Sequence, residues 1–157
     1  MGEEKTNVMR TLAQKKIDYK GHTYEQDATL TGAEIAAKMG EKPEAVFKTL
    51  VTQGKSKTYY VFVIPVEKEL DLKKAAKAVG EKSIDMLPQK ELLPLTGYVH
   101  GGCSPIGMKK IFKTTFDESL NQLERVYFSG GKVGFQVELA VKDIEKVIRY
   151  QTAEVCG

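Results

Sequence analysis

Apolar positions recur along the chain with two periods. In "TNVMRTLAQKKI", Val8, Leu12 and Ile17 fall at helical spacing, with Thr6 or Asn7 placed to cap the first turn. "TLTGAEIAAKMG" predicts a second helix, because Thr31 and Glu34 have the spacing of a capping box and Gly40 stands where a left-handed end belongs. "KPEAVF" adds a short turn of helix started by Pro43. "LDLKKAAKAVG" predicts a helix between Asp71 and Gly80, "PQKELLPLTG" a short one, "ESLNQL" a helical turn and "AVKDIEKVIRY" a closing helix. The second period is two residues, the signature of a strand. It appears in "DYKGHTYE", "FKTLVTQ", "KTYYVFVIPV", "KIFKTTFD" and "RVYFSGGKVGFQVEL", the last folding at Gly130 and Gly131 as a hairpin. "KTYYVFVIPV" is apolar enough to be a central strand covered on both faces, and a turn at Gly54 and Lys55 joins it to the strand before it. "TGYVHGGCSPIG" reads as a strand running into a loop.

Helices and strands alternate irregularly, and the hairpin is antiparallel, which predicts an α+β domain with a mixed sheet. No GxGxxG follows a first strand and no GxxxxGK[ST] occurs, so a doubly wound nucleotide fold is not expected. The 157 residues suit a single domain spanning 1–157, and no repeat or linker divides them. With 41% hydrophobic and 29% charged residues the composition is that of a globular protein in water. No apolar run approaches the ~20 residues that span a bilayer. "MGEEKTNVMRTLAQKK" lacks the apolar block of a signal peptide, and the "MG" start makes a poor acylation match; a cytoplasmic protein without a membrane partner is expected. Cys103 and Cys156 form no CxxC pair, and only His22 and His100 add imidazoles, so neither a metal site nor another cofactor is expected. A net charge of +3 permits a nucleic-acid partner without requiring one.

Lys48 is the residue least at home. Strand alternation in "AVFKTLV" puts it on one face with Leu50 and Thr52, opposite Phe47, Thr49 and Val51. A lysine there must find an anion, reach solvent or lose its proton. It is either an edge lysine extending outward or an ammonium held in a cleft for a phosphate or carbonyl oxygen. "GGCSPIG" has a backbone logic: Gly101 and Gly102 allow positive φ and close approach, and successive N–H groups can converge on an oxyanion. Pro105 stiffens the exit, and Ser104 lacks the G-x-S-x-G surround of a hydrolase serine. Cys103 as nucleophile would need a nearby imidazole such as His100; otherwise it is a small residue packed behind the loop. In "FSGGKVG", Ser129 and Gly130 begin either a plain hairpin turn or the far wall of a pocket. Tyr24 can present its hydroxyl to a ligand or sit half-buried in its strand. Glu138 is expected to face solvent or cap the hairpin.

Together, "HTYE", "VFKTLV", "LDLKKAAKAVG", "GYVHGGCSPIG" and "YFSGGKVGFQVEL", in this order and spacing, closely resemble the YbaK/EbsC family of aminoacyl-tRNA editing proteins. The resemblance covers nearly the whole chain. It implies one α+β domain built on a curved, mixed, largely antiparallel sheet flanked by helices, like the editing domain of bacterial prolyl-tRNA synthetases. It further implies deacylation in trans of Cys-tRNA(Pro), a second sieve made necessary because binding discriminates poorly between small side chains. The family's functional lysine falls on Lys48, with the Gly101–Gly102 main chain as its catalytic partner. Substrate contacts fall on Tyr24, Thr31, Thr49, Ser104, Pro105, Ser129, Gly130 and Gln136.

Two positions depart from the family pattern. Thr31 stands where relatives carry a pocket phenylalanine, and Gln136 stands where they carry an aspartate. Both bear on amino-acid selectivity, so an Ala-tRNA(Pro) or broad aminoacyl-tRNA deacylase using bound water, or a module that binds an aminoacyl or nucleotide end or a synthetase without hydrolysis, stand beside the cysteine reading. In the family the substrate's own thiol is thought to close on the ester carbonyl as a thiolactone. The enzyme then supplies attack geometry and oxyanion donors, and needs no nucleophile. The implied partners are the acceptor end of tRNA(Pro) and prolyl-tRNA synthetase.

Overall fold

The computed structural model describes residues 5–24 and 31–157. Residues 1–4 of the charged N-terminus and Glu25 of "HTYE" lie outside them. Four α-helices are present among the described residues: α1 (Asn7–Gln14), α2 (Gly32–Met39), α3 (Leu72–Val79) and α4 (Leu92–Thr96). The strands are β1 (Tyr19–Thr23), β2 (Phe47–Gly54), β3 (Tyr59–Pro65), β4 (Ile84–Met86), β5 (Lys113–Asp117), β6 (Arg125–Ser129), β7 (Phe135–Ala140) and β8 (Gln151–Ala153). They form a three-stranded antiparallel sheet, β1-β7-β6, and a five-stranded mixed sheet, β4-β2-β3-β5-β8. The mixed sheet expected from the sequence is therefore present but divided in two. A parallel bridge between Val46 and Tyr127 joins the halves.

Local signals in the sequence set the helix ends. Thr6 Oγ1 accepts from Met9 N at 3.2 Å and starts α1. At α2 the capping box is complete: Thr31 Oγ1 accepts from Glu34 N and Glu34 Oε1 accepts from Thr31 N, each at 3.1 Å. Asp71 Oδ1 accepts from Lys73 N and Lys74 N at the start of α3, and Gly80 ends that helix at φ 75°. β3 is central and covered on both faces, as its apolar run predicts. Val61 and Val63 enter the main core with Phe47, Val51, Phe116, Phe128 and Leu12. Tyr60, Phe62 and Ile64 pack on Ala75 and Ala76 of α3. Each fully buried side chain of this size contributes roughly 1.5–3 kcal/mol.

Several expectations fail, each for a tertiary reason. "AVKDIEKVIRY" is not an α-helix: Val141–Lys146 forms a 3-10 turn, and the chain then adds β8 parallel to β5. Val141, Ile144, Val147 and Ile148 are β-branched and helix-weak, and satisfying the free edge of β5 outweighs their spacing. Residues 98–100 are not a strand. Gly102 N donates to Val99 O at 3.0 Å and Tyr98 OH donates to Ile106 O, so the segment bonds to itself. β5 starts only at Lys113, leaving Ile111 fully exposed. β4 is too short for alternation to reveal. No helix among the described residues is long and apolar enough to cross a membrane.

Glu138 corrects the expectation of an outward or capping carboxylate. It is 7% exposed. Its Oε1 lies 2.9 Å from His22 Nε2, and its Oε2 accepts from Arg125 Nε at 2.7 Å. Burial alone would raise its pKa, but the hydrogen bonds from His22 and Arg125 prevail and hold it below the usual glutamate range. The stability this group contributes is complete above the unfolded-chain value of about 4.3 and is lost as the pH falls from there through the depressed folded value. Both partners reach solvent, so Glu138→Gln should cost about 1–2 kcal/mol, less than breaking a fully buried pair. Melting temperature followed from neutral pH to about pH 2 should decline less steeply in the variant below about pH 4; parallel curves would exclude the linkage.

Candidate active site

The seam between the two sheets opens into a cleft. Val46 O accepts from Val66 N and Gly54 N donates to Thr58 O, so the even-numbered residues of β2 bond to β3. The odd-numbered residues then turn their main-chain groups to the other edge. Along that edge Val51 O accepts from Leu87 N beyond β4, and the Val46–Tyr127 bridge secures the opposite end. Between these points Thr49 has no strand partner on that edge among the described residues, since β4 pairs only with Thr52 to Gly54. β6 diverges from β2 there, leaving a cavity of about 190 Å3.

Because the cavity wraps round an open strand edge, residues from both faces of β2 line it. Phe47 and Thr49 reach it from the main-core face, Lys48 and Leu50 from the face toward α3. Ser129 ends β6, Gln136 lies near the start of β7, and the 100–103 loop supplies His100, Gly101 and Cys103. Ile35 of α2, Val66 and Leu92 add apolar wall. Lys48, Thr49, Gly101, Ser129 and Gln136, remote in sequence, thus meet in one place.

The polar groups here are unevenly satisfied. Gln136 is 5% exposed, yet its Oε1 has no hydrogen-bond partner among the described residues. Thr49 Oγ1 is likewise buried and unpartnered. Burying an acceptor unsatisfied costs about 1–3 kcal/mol, so two of them on one cavity wall mark a place built for a ligand with donors. Lys48 is half-buried and forms no ion pair with a described residue. Its charge, with that of Lys68, is felt by the Cys156 thiol, which burial foremost and then Asp117 push up to about 12.

The glycine loops divide their roles differently from the expectation. Gly101, at φ 87°, lines the cleft, and its N–H has no main-chain partner among the described residues. The Gly102 amide is already committed to Val99, so it cannot serve as a second donor to an oxyanion. A Cβ on Gly102 would lie 3.0 Å from Val133 N and 3.2 Å from Lys132 C, so this glycine lets the two glycine loops touch. Ser129 Oγ accepts from Gly131 N at 3.1 Å, which orients its hydroxyl at the cleft wall. Gly130 donates to Phe135 O and closes the hairpin behind it.

Five expected substrate contacts do not line the cleft, Gly130 in the hairpin turn and four others. Thr31 spends its hydroxyl on the α2 cap, and Ile35, one turn on, lines the wall. Ser104 is fully buried, its Oγ accepting from Ile106 N within the loop. Pro105 faces a separate surface recess. Tyr24 is held beside the second glycine loop by its amide bond to Gly134 O at 2.9 Å, with its buried hydroxyl unpartnered among the described residues, but it does not line the cavity. Cys103 does line it, and burial raises its thiol to about 12, which disfavours the thiolate a nucleophile needs. His100 and the apolar wall of Ile35, Val66 and Leu92 were not assigned to the site from the sequence. Only the position of His100 beside Gly101 offered a signal. No group of three or more His, Cys, Asp or Glu side chains able to hold a metal occurs among the described residues.

The chain has relatives among known proteins. Residues 26–147 match the model of the aminoacyl-tRNA editing domain. A curated protein of Enterococcus faecalis, "Putative Cys-tRNA(Pro)/Cys-tRNA(Cys) deacylase EbsC", is 44% identical over 154 residues, covering 98% of this chain and 94% of its own. Among solved structures, a "putative trans-editing enzyme for prolyl tRNA synthetase" superposes with a TM-score of 0.81 at 22% identity, covering 98% of this chain and 99% of its own. The hypothetical protein APE2540 does so with a TM-score of 0.85 at 22% identity, covering 97% and 100%. At that identity the two structures speak for the fold.

Proposed function

Because the chain belongs to the aminoacyl-tRNA editing domain family, we propose that it is an aminoacyl-tRNA deacylase acting in trans, with cysteine esterified to tRNA(Pro) as its substrate. The name of its relative couples two tRNAs to one amino acid, which favours a cleft that selects the amino acid rather than the tRNA body. A cavity of about 190 Å3 is smaller than the roughly 300–1,000 Å3 of sites for drug-sized ligands and suits an aminoacyl ester alone. The observation that carries the assignment is the composition of its wall: a half-buried lysine, a Gly101 amide and two buried acceptors without partners among the described residues, and a Cys103 thiol that burial keeps protonated.

The roles follow from these groups. Gln136 Oε1 and Thr49 Oγ1 accept from the substrate's α-ammonium, a task that a neutral amide performs more weakly than a carboxylate. Lys48 and the Gly101 N–H face the ester oxygen or the adjoining phosphate, and Ser129 bounds the space left for the side chain. The substrate sulfur then bonds to the ester carbonyl carbon while the bond to the ribose oxygen breaks. The thiol proton ends on the released ribose hydroxyl, and the amino acid leaves as a four-membered thiolactone. Holding sulfur against carbonyl in one conformer supplies the proximity effect.

His100 on the cleft wall favours a second reading, in which its ring takes a proton from water and alanine is the amino acid removed. Single-turnover deacylation of Cys-tRNA(Pro), Ala-tRNA(Pro) and Ser-tRNA(Pro) with product analysis decides between them. Cysteine is expected to be removed fastest with transient thiolactone, and preference for alanine would discard the thiol route. Cys103→Ala should retain turnover within about threefold, because a thiol this strongly protonated contributes no nucleophile.

A further inference from the structure

The loop that closes the cleft continues onto the outer surface. His100, Gly101 and Cys103 face the cleft, and the stretch from Pro105 to Phe112 walls a pair of adjoining recesses of about 490 and 420 Å3. The two share Ile111, Phe112, Thr114 and Arg149, and their far wall is the 147–151 segment leading into β8. Lys110, Lys113 and Arg149 line them, and no carboxylate among the described residues does. None of the three cations has an ion-pair partner among the described residues. Ile111 stands fully exposed on the shared rim, with the half-buried rings of Phe112 and Tyr150 beside it. Unpaired cations set among apolar and aromatic faces, without acid, complement terminal RNA. Such cations neutralise phosphates, and ring and guanidinium planes accept unstacked bases.

The position suits an RNA strand leaving the cleft. Lys113 pairs with Tyr60, Tyr60 with Thr52, and Lys48 lies on β2, one turn of the pleat pattern beyond Leu50 from Thr52. At about 3.3 Å per residue and 4.8 Å per strand, roughly 16 Å separates the two lysine backbones. A cavity that holds only the aminoacyl ester leaves the nucleotides behind it to cross the surface. The geometry points to these recesses as the docking surface for the acceptor arm of the aminoacyl-tRNA, with phosphates at Lys110, Lys113 and Arg149 and a base or ribose against Ile111 and its neighbouring rings. This rests on the deacylase reading above. Phosphate contacts carry no base identity, so the surface supplies affinity and leaves tRNA choice to other determinants, prolyl-tRNA synthetase among them.

The test is a triple variant, Lys110→Ala/Lys113→Ala/Arg149→Ala, at exposed positions that bear no part of the core. Binding of tRNA(Pro) is measured between about 50 and 200 mM salt, with deacylation of Cys-tRNA(Pro) and of a cysteinyl-adenosine ester followed in parallel. Three phosphate contacts to single-stranded RNA predict that the log–log salt slope shrinks by about 2. KM for Cys-tRNA(Pro) should rise about tenfold or more, with cleavage of the small ester within about twofold of wild type. A wild-type salt slope and tRNA KM in the variant would overturn the docking surface. Loss of synthetase binding in the variant, with tRNA binding intact, would overturn it as well, because the face would then dock protein. Failure of the unmodified protein to cleave either ester would count against the deacylase reading alone, since the salt slope still tests the surface by itself.

Discussion

Lys48→Ala is expected to lower the single-turnover rate of ester cleavage by about 10²–10³-fold, the range seen when one pre-organised oxyanion donor is removed. Coulomb's law gives a similar magnitude. An ammonium about 4 Å from a developing negative charge is worth about 4 kcal/mol at the effective dielectric of a protein cleft, and about 3–4 kcal/mol corresponds to such a rate loss. The fold should scarcely notice. Lys48 is half-buried on an open strand edge and forms no ion pair with a described residue, so the melting temperature should move by less than about 3 °C. Lys48→Arg restores the charge but replaces a compact ammonium with a planar fork, and intermediate activity is expected. A rate within about threefold of wild type for the alanine variant would remove Lys48 from the reaction.

Gly102→Ala should damage both stability and turnover, although its amide is already bonded to Val99 O. The added methyl would meet main-chain atoms of Lys132 and Val133 at 3.0–3.2 Å, and these cannot swing aside as a side-chain tip can. Overpacking of this kind costs about 1–3 kcal/mol, which for a chain of this size is a drop of roughly 2–4 °C per kcal/mol. Forcing the loops apart also displaces Gly101, the first-loop glycine that lines the cleft. Turnover should therefore fall more than the melting temperature alone explains. Unchanged Tm and turnover would show that the two loops do not need their present contact.

Much of the fold was legible locally. The Thr31–Glu34 capping box, the Asp71 cap and the Gly130–Gly131 hairpin are each written within a few neighbouring residues, and each is found where its residues predict. β3 was recognisable because a strand buried on two faces must be apolar at nearly every position. The closing segment misled because Val141, Ile144, Val147 and Ile148 fit a helical period. What drew the chain into β8 was the unpaired edge of β5, which exists only once the sheet has assembled.

The site divides along the same line. The sequence by itself determined which residue types were available: a lysine in an apolar strand, two glycine pairs and a glutamine in the strand after the second of them. Only the tertiary structure decided which of them meet. The divergence of β6 from β2 after Val46 opens the cavity between Lys48 and Gln136, and the Val99 carbonyl withdraws Gly102 from service. Residue identity is a local property of the chain, but a cavity and a free hydrogen-bonding group exist only relative to what other segments have already covered.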